Sequence, residues 1–200
     1  MATIPNPAKS RTWDLGTSAN GTFFDTEFNQ LYANDNNLDG RVEALEGAAK
    51  YAKLSDTKAA GTDGGTATSG SFFQRTLNTE DVDSGSIVTL TSNRFTLQAG
   101  TYRIKAIVPA CATDGHVAKL YNYTDSADVA NCVGSAGYAE FNGFFVTTHS
   151  VIAGQFTIAG AKEFEILHRV NTTRATSGCG KAANLGVSEV YAVVEIWKVG

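Results

Sequence analysis

The chain has 200 residues, with 16 Lys and Arg against 20 Asp and Glu, a net charge of −4 and a pI near 5.3. Because nucleic-acid phosphates need a clustered positive face and the sequence has no basic cluster, we expect no nucleic-acid partner. No stretch approaches the roughly 20 apolar residues of a membrane span, and the first ten residues lack the apolar core of a signal peptide. We therefore expect neither secretion nor membrane insertion. The length fits one compact domain of about 150 residues with an appendage.

Residues 1–21 differ in composition from the rest of the chain. Prolines and glycines stand among small polar residues, and Trp13 and Leu15 are large apolar side chains within this segment. Such a composition favours an extended chain over a packed element. We expect residues 1–21 to form an extended attachment segment, with Trp13 and Leu15 available to dock on another protein.

Residues 22–54 are predicted to be helical, because apolar side chains recur at spacings that alternate between four and three residues. A seam one side chain wide cannot bury itself within one helix, and no later segment offers a matching helix. The pattern therefore predicts a coiled-coil stalk formed by copies of the same chain. The seam positions are Phe24, Phe28, Leu31, Asp35, Leu38, Val42, Leu45, Ala49 and Ala52.

A second interpretation of residues 35–46 competes with the seam. Asp35, Asn37 and Asp39 stand at oxygen-ligand positions of an EF-hand calcium loop, Gly40 at its turn and Glu46 at its bidentate position. Only one such loop occurs, whereas these loops usually come in pairs, and the seam already uses this stretch. We favour the helix and keep the calcium loop as the alternative. Residues 34–37 are poor helix formers, so a kink between two shorter helices also stays open.

Residues 55–71 are almost entirely Ser, Thr, Asp, Ala and Gly. This composition is typical of flexible linkers. We expect a flexible connector here.

From residue 72 to residue 200 the apolar period changes to two, which predicts strands. The clearest pair is 94–108, where a turn at Ala99 and Gly100 divides two alternating runs. Eight or so short strands without an intervening amphipathic helix predict a mainly β fold with an antiparallel, jelly-roll-like sandwich at 72–200. Further predicted strands are 86–91, 116–124, 143–152, 155–158, 163–170 and 189–199.

The last predicted strand, 189–199, is apolar on both faces. Tyr191, Val193 and Trp197 lie on its second face. Strands covered from both sides have this pattern, and the second cover is either a neighbouring subunit or another layer of a thick monomeric sandwich. Patterning alone leaves both open.

The sequence gives no indication of catalysis. His116, His149 and His168 have no metal-ligand spacing toward Cys, Asp or Glu, and no nucleophile or phosphate-binding motif occurs. The carboxylate pairs at 81/83 and 163/165 share a strand face, as solvated edges commonly do. We expect a protein that is not an enzyme and uses no metal or cofactor.

Binding residues are expected in the Gly-rich loops 112–116, 125–131, 134–142 and 171–181. These loops combine aromatic, charged and amide side chains, a mixture that saccharide or protein recognition uses. The alternative is that they are ordinary hairpin turns. The candidate receptor-binding residues are Asp114, His116, Tyr138, Asn142, Arg174 and Lys181.

Two parts of the sequence resemble known proteins. Residues 28–42 look like the N-terminal attachment and stalk region of tail fibres of tailed bacteriophages. Residues 94–106, 116–124 and 191–197 are similar to the trimeric jelly-roll heads at the tips of such fibres, which are related in form to C1q and tumour-necrosis-factor domains. The resemblance implies a short homotrimeric fibre located in the virion tail and assembled in the host cytoplasm. It also implies an N-terminus held by a tail or baseplate protein and a head that contacts a host cell-surface receptor.

Under this resemblance the seam and the last strand carry the trimer. The expected trimerisation residues are Phe28, Leu31, Leu38, Val42, Leu45, Tyr191, Val193 and Trp197. A second function stays open, namely a soluble C1q-like or lectin-like binding module with a calcium loop at 35–46. The identity of the receptor, and the choice between a tail fibre and a capsid fibre, also stay open.

Overall fold

The structure is a computed structural model that describes residues 21–48, 50–140 and 143–199, with helix side chains described for 28–42. The chain divides into two compact units, Met1–Ala44 and Leu45–Gly200. The described part contains one helix, α1, and twelve strands. Among the described residues, no helix is both long enough and apolar enough to cross a bilayer.

Helix α1 spans Gly21–Ala48 without interruption. At a rise of about 1.5 Å per residue its 28 residues extend roughly 42 Å. Residues 34–37 are helical, so the kink considered from the sequence does not form. The described seam side chains are exposed within the single chain: Phe28 by 66%, Leu31 by 63%, Leu38 by 50% and Val42 by 50%.

The calcium-loop alternative for residues 35–46 is wrong, because the whole stretch is helical. A calcium loop leaves helical geometry so that its first, third and fifth residues converge on one ion. In a helix, Asp35 and Asp39 share a face while Asn37 points away from it. Among the described residues, no group of three or more His, Cys, Asp or Glu side chains is placed to hold a metal ion.

The predicted boundaries at 22–54 and 55–71 also need correction. The helix ends at Ala48, and Tyr51–Lys58 forms the first strand, β1. Ala52, which the heptad pattern assigned to the seam, is fully buried in the β-sheet core together with Leu54. The alternation of Ala52 and Leu54 with polar neighbours is a strand pattern, and it overlaps the last heptad positions by chance.

The strands of the second unit form two antiparallel sheets. One sheet has the order β10-β6-β12-β1-β3, and the other has the order β4-β5-β11-β7-β8, with β2 paired to β11 and β9 paired to β7. The predicted mainly β, jelly-roll-like antiparallel sandwich is therefore confirmed. The strands are β1 Tyr51–Lys58, β2 Phe73–Gln74, β3 Thr79–Asp83, β4 Val88–Thr91, β5 Arg94–Leu97, β6 Gly100–Cys111, β7 Asp114–Asn122, β8 Ala127–Val133, β9 Gly137–Ala139, β10 Thr147–Ile158, β11 Lys162–Val170 and β12 Glu189–Lys198.

The core lies between the two sheets and is built by period-two alternation. Ile104, Ala106 and Val108 of β6 face inward, whereas Arg103 and Lys105 are exposed. Burial of such apolar side chains contributes about 25 cal/mol per Å² and is the main driving force of the fold. The rings that fill the core are Phe95, Tyr102, Phe156 and Phe164, with neighbouring centroids 5.2 to 6.0 Å apart.

The hairpin predicted at 94–108 is wrong. Strand β5 pairs with β4 and β11, whereas β6 pairs with β10 and β12, so the chain changes sheet between them. Tyr102 donates its hydroxyl to the carbonyl of Gln98 at 2.9 Å across this corner. Alternation had assigned the faces of both strands, but it carries no information about which strand lies beside which.

The predicted strands 143–152 and 155–158 correspond to one strand, β10, which begins at Thr147 and not at 143. Gly154 lies at its middle, and a Cβ there would stand 2.5 Å from the Cys132 sulfur. The glycine therefore lets β8 approach β10 closely and does not interrupt the strand.

The segment predicted as a flexible connector is packed against the body. The amide of Gly64 donates to the Gly180 carbonyl at 2.9 Å, and Ala67 and Arg174 exchange two backbone hydrogen bonds of 3.0 and 2.9 Å. A Cβ on Gly64 would lie 2.7 Å from the Cys179 carbonyl oxygen. The small residues of 64–67 thus permit close backbone contact with 174–180. We call this pair of segments the crossed loops.

Tyr191 was a predicted trimerisation residue, but its side chain is not open to a neighbouring subunit. It is 7% exposed, and its hydroxyl donates to the Thr62 carbonyl at 2.6 Å. Gly180 lies so close to the ring that a Cβ there would stand 2.2 Å from it. The chain's own loops therefore cover Tyr191, a contact that strand patterning cannot reveal.

Candidate functional site

Most of the predicted binding loops lie at one end of the sandwich. Strands β1, β6 and β11 end there and β7, β10 and β12 begin there, as the pairings Lys58 with Glu189, Cys111 with Thr147 and Val170 with His116 establish. We call this the loop end; it comprises residues 59–66, 112–113, 134–140, 143–146 and 171–188. The loops 112–116 and 171–181 and the described part of 134–142 belong to it. The remaining predicted loop, 125–131, is mostly strand, because β8 begins at Ala127, and the turn from β7 into β8 lies at the opposite end.

The chain enters the sandwich at the end opposite the loop end. Tyr51, the first residue of β1, pairs with Trp197 near the end of β12, and the Lys198 amide donates to the Lys50 carbonyl at 3.1 Å. The rings of Tyr51 and Trp197 are 5.3 Å apart. The connection to the helical segment and the loop end are thus separated by the length of the strands.

A shallow pocket of about 430 Å³ lies at the loop end, on the outer face of the second sheet. Tyr138 of β9 pairs with Gly115 of β7, and the Asn171 amide donates to the Gly115 carbonyl at 2.8 Å. Arg169 of β11 pairs with Val117 one step along β7. We call this surface the β9 platform; it is lined by Gly115, His116, Val117, Ala136, Gly137, Tyr138, Arg169 and Asn171.

A chain of buried hydrogen bonds lies beneath the platform. His168 Nδ1 is 3.4 Å from Arg75 Nη1, His168 Nε2 is 3.1 Å from His116 Nδ1, and His116 Nε2 is 2.8 Å from the Thr148 hydroxyl. Because a guanidinium only donates, His168 must accept at Nδ1 and carry its proton at Nε2. His116 then accepts at Nδ1 and donates from Nε2 to Thr148. The chain of bonds fixes both tautomers and the position of the His116 ring.

His116 and His168, the two histidines in this chain of hydrogen bonds, are both neutral. Burial, aided by the Arg75 charge, lowers the pKa of His116 to about 4 and that of His168 to about 2. Protonation of a buried imidazole beside a fixed cation costs more free energy than protonation of a solvated imidazole. The pair therefore acts as an uncharged support at neutral pH.

Arg75 fixes the inner end of this chain. It is 1% exposed, and its two terminal nitrogens donate to the carbonyls of Pro109 and Cys179 at 3.0 Å each. Burial lowers its pKa, and Asp56, itself fully buried and 3.0 Å from Lys58, favours the charge. Arg75 thus ties β6 and the crossed loops to the histidines.

A second group of side chains at the loop end surrounds Phe145. The Arg174 guanidinium lies 4.8 Å and the Lys181 ammonium 5.3 Å from the ring centroid. Lys181 also forms a 3.0 Å ion pair with Asp63, whose pKa is lowered by the Ala182 amide and by Lys181. Phe145 is 49% exposed, so this cluster offers a ring flanked by cations to solvent.

The structure places the predicted receptor-binding residues in two groups. Asp114, His116 and Tyr138 meet in the β7–β9 pair, and Arg174 and Lys181 meet at Phe145. His116 was expected on the surface but is 4% exposed, because its ring packs inward under Gly137. Asn142, Trp13 and Leu15, and the side chain of Leu45, lie outside the described residues.

Arg169, Asn171 and Phe145 were not among the predicted site residues. The outward position of Arg169 was readable, since Phe164, Ile166 and His168 alternate with it along β11. The side chains that lie beside Arg169 could not be predicted, because β9 is three residues long and its pairing with β7 leaves no pattern in the sequence.

The outer face of the first sheet carries the remaining predicted trimerisation residues. Val193 and Trp197 are half-buried on this face, and Val151 of the edge strand β10 is 37% exposed. A cavity of about 610 Å³ beside Trp197 is lined by Arg103, Ile104, Ala153, Gly154, Gln155, Trp197 and Val199.

No family model and no curated protein matches the sequence. The solved structures that are similar to the chain at low sequence identity include three with the following measures. The globular domain of zebrafish complement 1qA protein has a TM-score of 0.45 and 10% identity, covering 76% of this chain and 98% of that one. Murine APRIL at pH 8.0 has a TM-score of 0.42 and 10% identity, covering 74% and 98%. The PRD1 vertex protein P5 has a TM-score of 0.42 and 14% identity, covering 77% and 99%.

Proposed function

We propose that the chain is a structural virion component, a short homotrimeric tail fibre. Its N-terminal segment, with Trp13 and Leu15, binds a tail or baseplate protein, and its loop end contacts a saccharide or protein receptor on the host cell. The observation that carries the proposal is that the two ends of the sandwich differ. The chain enters the sandwich at Tyr51, and the loops with Tyr138, Arg174 and Lys181 lie at the opposite end.

The exposed seam of α1 supports self-association. A helix whose apolar stripe is half or more exposed gains little stability from its own chain, and isolated helices are marginal in water. Copies of the seam packed against one another would bury Phe28, Leu31, Leu38 and Val42, and the pattern continues to Leu45. In the sandwich the trimer contact is assigned to Val193 and Trp197, without Tyr191.

The proposal gives the chain no catalytic role and no cofactor. Binding is assigned to the loop end alone, with Tyr138 and Arg174 as the principal side chains. An aromatic face and a charged donor typically contribute about 1–3 kcal/mol each when lost from a small site, and three copies would raise the avidity.

The test compares the full chain with two variants in a binding assay on susceptible bacterial cells. The chain should bind the cells and compete with infection, whereas the double variant Tyr138→Ala and Arg174→Ala should bind less while staying folded. A matched double variant at the opposite end, Tyr123→Ala and Lys162→Ala, should bind like the unchanged protein. Both exchanges remove one exposed tyrosine and one cation.

Binding of cells by a fragment of residues 1–50 instead would reverse the proposed orientation. Binding of a ligand by the loop end, together with no binding of residues 1–50 to any tail protein, would favour a soluble C1q-like or lectin-like module without a calcium loop.

A further inference from the structure

The β9 platform has the composition of a sugar-binding surface. Tyr138 is 63% exposed, and its cross-strand neighbour is Gly115, which has no side chain to cover the ring. A Cβ on Gly115 would stand 2.8 Å from Asn171 Nδ2, so the glycine creates the space that the Asn171 amide occupies. An open aromatic ring on β9 and an exposed amide directly after β11 thus flank Gly115 of β7. Aromatic stacking with amide hydrogen bonds is a common way to hold a polar ring that has an apolar face.

The platform also carries a positive charge that forms no ion pair with a carboxylate among the described residues. Arg169 is exposed, and within the described part of the chain no carboxylate pairs with it. Its guanidinium lies 6.0 Å from the Phe72 ring. By contrast, Arg94 and Lys162 on or beside the same strand form ion pairs with Glu165 and Asp125.

The described lining of the pocket includes no acidic side chain. Arg169 therefore stands as a single cation beside an aromatic ring and an amide. A planar guanidinium with free donors matches a carboxylate in a bidentate arrangement, which neutral hydroxyls cannot reproduce. A charge in this position would favour an acidic ligand over a neutral one.

We propose that the β9 platform binds a carboxylate-bearing sugar unit of a surface glycan. The apolar face of the sugar stacks on Tyr138, its carboxylate pairs with Arg169, and the Asn171 amide bonds ring hydroxyls. The pocket volume of about 430 Å³ lies within the range of small-molecule sites. His116 is a positioning residue, because its ring supports β9 from below at Gly137. This inference rests on the proposed receptor-binding function and names the ligand class.

The test is ligand-observed NMR titration of the full chain with hexuronic-acid and nonulosonic-acid oligosaccharides, each beside a neutral hexose oligosaccharide of equal length. We expect at least one acidic probe to bind at least tenfold more tightly than its neutral counterpart. Arg169→Gln should reduce this ratio to near one, and Tyr138→Ala should weaken binding of both members of a pair about tenfold. Lys162→Gln removes a cation from the other end of the same strand and should leave every affinity unchanged.

Equal binding of acidic and neutral probes, or binding of neither acidic probe, overturns the inference. An acid preference that survives Arg169→Gln also overturns it. The proposed function is tested separately by cell binding. Cell binding that is unchanged by Arg169→Gln but lost in the Tyr138→Ala, Arg174→Ala variant would refute the acidic ligand and keep the receptor-binding role. Selective binding of an acidic probe without cell binding would keep the acidic ligand and refute the receptor-binding role.

Discussion

His116 Nδ1 and His168 Nε2 lie 3.1 Å apart in the interior of the sandwich, and neither ring can take up a proton without bringing a charge close to Arg75. In the unfolded chain both rings titrate near a pKa of about 6.5. The pair therefore links the fold beneath the β9 platform to pH.

The free energy of unfolding should fall as the pH drops below about 6.5, because the two rings then bind protons in the unfolded chain but not in the folded chain. The folded pKa values of about 4 for His116 and about 2 for His168 lie below the unfolded value, so this contribution is complete above pH 6.5 and is lost as the pH falls toward 4 for His116 and toward 2 for His168. Each ring contributes a slope of up to about 1.4 kcal/mol per pH unit. Urea unfolding at pH 7, 6 and 5 measures the slope.

A variant at His116 distinguishes the contribution of the histidine pair to the slope from the contribution of the carboxylates. His116→Gln should flatten the slope between pH 6.5 and 4.5, because it removes one of the two rings that resist protonation. Equal slopes in the variant and the unchanged protein would mean that the buried pair does not control acid stability.

Gly137→Ala should destabilise the sandwich by about 1–3 kcal/mol, the usual cost of overpacking. Its Cβ would stand 2.2 Å from His116 Nε2, and the His116 ring is held by His168 and Thr148. Gly160→Ala, where no atom lies within 4 Å of the added Cβ, is the matched control. Thermal unfolding of the two variants should differ; identical midpoints would show that the His116 ring can move aside freely.

Leu31→Asp with Leu38→Asp should reduce the mass of the full chain measured by light scattering, or its helical content, because charges would enter the core of a coiled coil at several kcal/mol per site. Asn29→Asp with Asn36→Asp adds the same charge on the outer side of the heptad and should change neither quantity. A seam variant with unchanged mass and helicity would exclude packing through this stripe. This variant does not test the proposed contact at Val193 and Trp197.

A fragment of residues 45–200 should fold, whereas a fragment of residues 72–200 should not. The shorter fragment lacks β1, which lies between β12 and β3 in the first sheet and buries Ala52 and Leu54. It would therefore lose a central strand and leave β3 without a partner. Far-ultraviolet circular dichroism and amide proton dispersion distinguish the two results, and a native spectrum from the shorter fragment would contradict the assigned boundary.

Periodicity predicted the segments that form β4, β5, β6, β7, β10, β11 and β12, but it did not predict the strands β1, β2, β3, β8 and β9. It could not predict partners, as the separation of β5 from β6 into different sheets illustrates. Alternation records only whether a side chain is covered, while pairing depends on the path of the whole chain. The helix was predicted from the same kind of evidence, but its end was misplaced because Ala52 satisfies both periods.

The candidate site was predicted only in part for a related reason. Tyr138 was identifiable as an aromatic residue in a Gly-rich loop, but the approach of Arg169 and Asn171 depends on pairing between distant strands. Composition was misleading at 55–71, where small residues were taken as a sign of flexibility. Gly64 and Ala67 are small because another backbone lies against them.

The crossed loops have a further consequence for motion at the loop end. Residues 64–67 and 174–180 are more than 100 positions apart in the sequence, yet they share reciprocal backbone bonds, and Gly65 also accepts from the Cys179 amide. Neither segment can open alone, because each supplies the hydrogen-bond acceptors of the other. They should form one cooperative unfolding unit, so the amide protons of Gly65, Ala67, Arg174 and Cys179 should exchange with solvent at a common opening free energy. Sequence variation in either loop would then alter the mobility of both.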